Sequence, residues 1–188
     1  MCADVDSKSM CGKKTGVSLI AACKGGDALL DYLEGIYTEA FPPEERRPWP
    51  GVCDGSGPEL MAVVRDGVPC GLVSFWRFDD FVYIEHFAVD AARRSGGTGA
   101  AVLAAFAQDA AGSLPVVVEV ELPESSPEAT RRVGFYQRNG FTVATRTYLQ
   151  PPYAPGLPEV ALMLMATGSV DADAVARVLH RRVYGVEE

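Results

Sequence analysis

Apolar positions along this chain change period several times, from alternate residues to every third or fourth and back, which marks out strands and helices in mixed order. The run 16–23 reads as a strand. Leu29, Leu30, Leu33, Ile36 and Tyr37 then recur at helical spacing and predict a helix over 27–40, with Asp27 as its N-cap. Pro42, Pro43, Pro48 and Pro50 cannot continue that helix, so 41–50 is an ordered loop or a short helical turn. Three β-favouring stretches follow, 60–65, 70–78 and 81–89, separated by the turns Asp66-Gly67 and Asp79-Asp80; together they read as an antiparallel meander.

Behind a glycine-rich turn, 97–111 has helical character. Val116, Val117, Val118 and Val120 make 115–122 the strongest candidate for a buried strand, and strand, helix, strand implies a parallel crossover. The pattern ends with a helix over 127–139 stopped by Gly140, strands near 141–147 and 160–166, and a terminal helix running from a cap at Ser169 or Asp171 to Tyr184. Val170, Ala174, Val178 and Leu179 give this last helix an apolar stripe, with Arg177, Arg181 and Arg182 near its end, where cations suit the helix dipole.

Composition narrows the class. The 188 residues are 48% hydrophobic and 22% charged, which describes one ordinary globular domain. Its expected divisions are a flexible segment over 1–16, a main domain over 17–168, and a terminal helix over 169–188 packed on the domain or on a dimer partner. A formal charge of −8 repels nucleic-acid backbones. The apolar run 17–23 is too short and too late for a secretory signal, and no segment approaches membrane-spanning length, so no membrane partner is expected. Five cysteines with no CxxC indicate neither a disulfide framework nor a zinc site, and a reduced, cytoplasmic protein without a metal is expected.

The chemistry concentrates between Glu85 and Ala100. A strand that ends in Gly96-Gly97-Thr98-Gly99 and opens a helix is the layout of a phosphate cradle, because glycines let backbone N–H groups converge on an anion and the helix dipole favours negative charge there. The ligand is therefore expected to be phosphorylated. A dinucleotide fingerprint would need a third glycine where Val102 stands, and no P-loop lysine follows. Arg94 either adds charge to the cradle or braces its loop.

Arg94-x-x-Gly97-x-Gly99-Ala100, followed two elements later by Phe135-Tyr136-x-x-x-Gly140-Phe141, resembles the GNAT superfamily of N-acetyltransferases over residues 17–166. The resemblance implies a mixed α/β (α+β) fold: a mostly antiparallel sheet splayed between strands 4 and 5, with flanking helices. It implies acetyl-CoA (acetyl-coenzyme A) as acyl donor, lying along Phe87, Ala88 and Val89, with its pyrophosphate on the N–H groups of Arg94, Ser95, Gly96, Gly97, Thr98, Gly99 and Ala100. The Val89 N–H would receive the oxyanion, and Tyr136 would act as general acid toward the departing thiolate. Glu85 matches the strand position of the family's general base. Period two would place Tyr83 on its face as a water relay and His86 on the opposite face.

The implied activity is transfer of an acetyl or similar acyl group to a small-molecule or peptide amine by direct attack in a ternary complex. The alternative is a non-catalytic acyl-CoA-binding sensor or interaction module. Many relatives contact the pantetheine arm through an Asn where this chain reads Ala129-Thr130-Arg131-Arg132-Val133-Gly134. Arg131 and Arg132 either reach the phosphates or pair with surface acids. The acceptor pocket is implied to form from 41–49 and 148–156, where Trp49, Tyr148 and Tyr153, with Trp76, offer faces to an acceptor or pack the loops together. A homodimer is what many relatives suggest.

Overall fold

The computed structural model describes residues 16–94 and 96–186, so the expectations for 1–15 and for Ser95 lie outside the described residues. A seven-stranded sheet runs in the order β1-β2-β3-β4-β5-β7-β6, from β1 (Val17–Ala21), β2 (Glu59–Arg65), β3 (Val68–Arg77), β4 (Val82–Val89), β5 (Val116–Glu121), β6 (Thr142–Gln150) and β7 (Val160–Ala166). Every neighbouring pair is antiparallel except β4 with β5. The mixed fold read from the hydrophobic pattern and the mostly antiparallel sheet implied by the resemblance are both observed.

Alternation along the strands sends two sets of side chains to opposite faces. On one face α3 (Thr98–Phe106) and α4 (Pro127–Arg138) cover Val73, Phe75, Ile84, Val118, Val120, Met163 and Met165. On the other, α1 (Asp27–Ala40) covers Ala62, Leu72 and Ala88, while α5 (Ala172–Arg182) packs Val175 and Leu179 onto Tyr83, Val117, Leu162 and Leu164. Between α1 and β2 the prolines permit only a short 3-10 turn at Pro43–Glu45 and the single-turn helix α2 (Pro50–Cys53).

Three local features differ from the pattern-based expectation. The N-cap of α1 is Gly26, at φ 73°, and Asp27 is the first helical residue. β6 extends to Gln150, paired with Val160; two register shifts break the alternation that would have revealed its last turns of pleat, so Tyr148 and Gln150 are strand residues and not loop residues. In β4, His86 pairs with Ser74 and Ile84 with Phe75, which leaves Glu85 as the extra residue of a β-bulge. For α5, Asp171 is the cap, its Oδ1 accepting from the N–H groups of Asp173 and Ala174 at 3.1 Å. No helix among the described residues is long and apolar enough to cross a membrane.

The β4·β5 pair positions the site. It holds only at Val82↔Val116, Tyr83↔Val117 and Ile84↔Val118, after which both strands continue unpaired with each other, to Val89 and to Glu121. Because α5 is held to the sheet by a fully buried Leu179, Leu179→Ala should cost about 2–5 kcal/mol by chemical denaturation.

Candidate active site

At the splay's α3 end lies the glycine turn. Gly96 and Gly97 sit at φ 68° and 74°, in the left-handed region where a side chain is strained. The first internal bond of α3 runs from the Ala101 N–H to the Gly97 carbonyl at 3.0 Å, and no side chain caps this end, so the N–H groups of Gly99 and Ala100 precede the helix's own acceptors. A Cβ at Gly99 would stand 3.1 Å from the Phe135 ring, which makes this glycine one of close approach. Arg94 braces the loop: its Nε donates to the Val89 carbonyl at 2.8 Å. Arg65 donates to the Thr98 hydroxyl from beneath. A cavity of about 530 Å³ opens here between Phe87, Gly97, Gly99 and Asn139.

A second cavity, of about 340 Å³, fills the splay itself and is shared by Glu85, Val89, Glu119, Tyr136 and Gln150. The Asp90 N–H donates to Cys70 of β3 at 2.9 Å; successive strand N–H groups point opposite ways, so that of Val89 faces the splay. Tyr136 lines the same space, wedged against Phe135 and Phe141, and burial pushes its phenol up to about 12, so it stays a neutral donor.

Glu85 sits in this cleft with its side chain fully buried and both oxygens in use. Oε1 accepts from Arg47 Nε and Nη2 at 3.0 and 2.9 Å, and Oε2 accepts from Trp76 Nε1 at 2.9 Å. Arg47 also donates to the Val183 carbonyl at 2.7 Å and lies over the rings of Trp76 and Tyr153, at 5.5 and 5.3 Å. The bulge corrects the period-two reading of this strand: His86 is turned toward the same loop as Glu85 and not to the opposite face. Its ring meets Ser74 Oγ at 3.1 Å and both the Tyr37 hydroxyl and the Glu45 carbonyl at 3.2 Å, and burial lowers its pKa, leaving it a neutral anchor for 41–50.

Sequence reasoning missed Glu119. This residue is a lone carboxylate inside a run of valines on β5, facing α5, and Tyr184 donates to its Oε2 at 2.8 Å. The Tyr184 hydroxyl in turn meets those of Tyr83 and Tyr153 at 3.3 and 3.4 Å, so Tyr83 serves this acid and not Glu85. Burial pushes the Glu119 carboxyl up to about 7, with the phenols of Tyr148, Tyr184 and Tyr83 holding it partly down. Gln150 Nε2 is buried without a hydrogen-bond partner among the described residues. A single acid interrupting Val116-Val117-Val118-x-Val120 was the available signal. At the cleft's edge Arg132 pairs with Glu121, and Arg131 pairs with Glu128. Both arginines are thus held by neighbouring acids.

A family model described as an acetyltransferase (GNAT) domain matches residues 57–143. No curated protein matches the chain. Among solved structures, it is similar to a protein from Bacteroides thetaiotaomicron assigned to the acetyltransferases of the GNAT family, with 35% identity, a TM-score of 0.80, and coverage of 91% of this chain and 99% of that one. Two more distant likenesses share the fold. A ribosomal-protein-alanine N-acetyltransferase from Brucella melitensis is 18% identical, with a TM-score of 0.55 over 79% of this chain and 98% of that one. An N-acetylglutamate synthase from Neisseria gonorrhoeae, solved with coenzyme A and N-acetyl-glutamate, is 17% identical, with a TM-score of 0.53 over 82% of this chain and 35% of that one.

Glu119 ties stability to pH. The carboxyl rises from its ordinary 4.5 to about 7 on folding, so the native state binds the proton more tightly and stability falls as pH climbs between those values. Glu119→Gln removes the penalty. Relative to the parent, the variant should gain stability from pH 4.5 to 7, by on the order of 3 kcal/mol, and hold the gain unchanged above that range; urea melts at three pH values check this.

Proposed function

Because this chain belongs to the GNAT family of acetyltransferases, we propose that it moves an acetyl group from acetyl-coenzyme A to the nitrogen of an amine, with Glu119 as the proton acceptor and Tyr136 as the proton donor. The observation that carries the reading is a buried acid, poised near neutrality, in the same cleft as a strand N–H and a neutral phenol.

The residues present suit the donor. The uncapped start of α3, the left-handed glycines and the close approach at Gly99 leave backbone N–H groups and the positive helix end for a pyrophosphate. When bound, acetyl-coenzyme A supplies an acetyl thioester, whose carbonyl carbon the amine attacks and whose sulfur departs. The Val89 N–H faces the place where negative charge grows on that carbonyl oxygen. Tyr136 gives its hydroxyl proton to the leaving sulfur and regains one from solvent.

Glu119 takes the proton that the amine must lose. An amine near pKa ~10 deprotonated by an acid near 7 is an uphill transfer of about 4 kcal/mol, against about 7–8 for a carboxylate at its ordinary value. Glu85 is the weaker candidate for this step because Arg47 and Trp76 hold both of its oxygens. Its part in this reading is to fix Arg47.

Glu119→Gln should lower kcat/KM by roughly 10²–10⁴-fold while coenzyme A affinity stays within about twofold, and the rise of kcat/KM with pH through about 7 should vanish. Persistence of that rise in the variant would remove Glu119 from the mechanism. Tyr136→Phe should slow turnover by roughly 10–100-fold with cofactor binding retained. Gly97→Glu should abolish coenzyme A binding in a calorimetric titration, since it sets a carboxylate and a strained φ against the pyrophosphate.

A further inference from the structure

The structure assigns the acceptor to a chemical class, given the acetyl-transfer reading above: a small primary amine that carries no carboxylate or phosphate, held as an ammonium before it loses its proton. The argument is an accounting of charge on the side of the cleft that faces α1 and α5. Every guanidinium bordering that side is already committed. Arg47 is bound twice to Glu85 and once to the Val183 carbonyl, between two aromatic faces. Arg46 donates to the carbonyls of Thr38 and Phe41 at 2.9 and 3.2 Å, and Arg132 is paired with Glu121. On the cofactor side, Arg94 serves the Val89 carbonyl.

The carboxylates are not balanced in the same way. Glu45 and Glu119 line the cleft without an ion-pair partner among the described residues. Gln150 lines it too, 3% exposed, with its Nε2 buried and unpartnered among the described residues. An ammonium satisfies the unpaired carboxyl groups, and a neutral hydroxyl, ether or ring nitrogen on the same molecule satisfies the amide N–H. An anionic group entering here would meet one unpartnered amide donor and two acids without an ion-pair partner, and would have to give up its hydration for no uncommitted cation.

Matched pairs that differ only in a carboxylate test this: tyramine with tyrosine, histamine with histidine, 1,5-diaminopentane with lysine. Each is titrated calorimetrically into the coenzyme A-loaded protein and then assayed for acetyl transfer. Within at least one pair, the amine should bind and be acetylated with a kcat/KM at least about 100-fold above its amino acid. In Glu85→Gln, an isosteric change that releases Arg47 as a free cation, the gap should narrow at least about tenfold. Equal or preferred use of the amino acids would overturn the assignment and leave acetyl transfer standing. Binding of coenzyme A with no member of any pair taken up would overturn it as well. Failure of coenzyme A itself to bind would instead bring down the acetyl-transfer reading on which it rests.

Discussion

Everything that gives this protein a site follows from the parting of β4 and β5 after three paired residues. Each strand is gripped on its outer edge: β4 stays paired with β3 as far as Val89↔Gly71, and β5 stays paired with β7 as far as Glu121↔Leu162. The two must therefore diverge as rigid arms of a V. Their inner N–H and C=O groups are left for water or a ligand, a cost that a sheet accepts only where another chemistry uses it. The bulge at Glu85 contributes to the divergence by adding a residue to one arm and turning its side chains, so that Glu85 and His86 both reach the 41–50 loop.

Two carboxylates on neighbouring arms have sharply different surroundings. Glu85 has a bidentate guanidinium and an indole N–H, and is a fixed counter-charge. Glu119 has phenols and no cation, so desolvation dominates and raises its carboxyl to about 7. One environment occupies both oxygens of a carboxylate; the other raises a carboxyl toward neutral pH by burial.

The fold was legible because local signals agreed: helical spacing in 27–40, a valine run for β5, Ser126 and Gly140 bracketing α4, and a glycine turn whose positive φ values only glycine adopts readily. The left-handed glycine turn and the seat of Tyr136 beside the splay were legible for the same reason, since short motifs carry their geometry with them. The surroundings of Glu85 were not. Setting Tyr83 beside it and His86 on the opposite face assumed unbroken alternation, and nothing in the sequence marks a bulge that depends on pairing with β3. Gln150 and Tyr148 were placed in a loop because two register shifts hid the end of β6. Glu119 was overlooked because its partners, Tyr83, Tyr148 and Tyr184, come from three elements separated by up to 101 residues in sequence.

The C-terminal helix lies outside the motifs that carry the family resemblance, yet the residues that follow it reach the groups beside the cleft. Val183 takes a hydrogen bond from Arg47, and Tyr184 donates to Glu119. Both follow directly on the last turn of α5, whose position is fixed by Leu179 and Val175 in the sheet's second core. Burial of apolar side chains far from the chemistry thus sets the distance between a phenol and a carboxylate at the chemistry. The glycine turn is one contiguous stretch, whereas the other side of the cleft is assembled from α1, the proline loop, β6, the loop bearing Tyr153 and the residues after α5, so the two are built from separate parts of the chain.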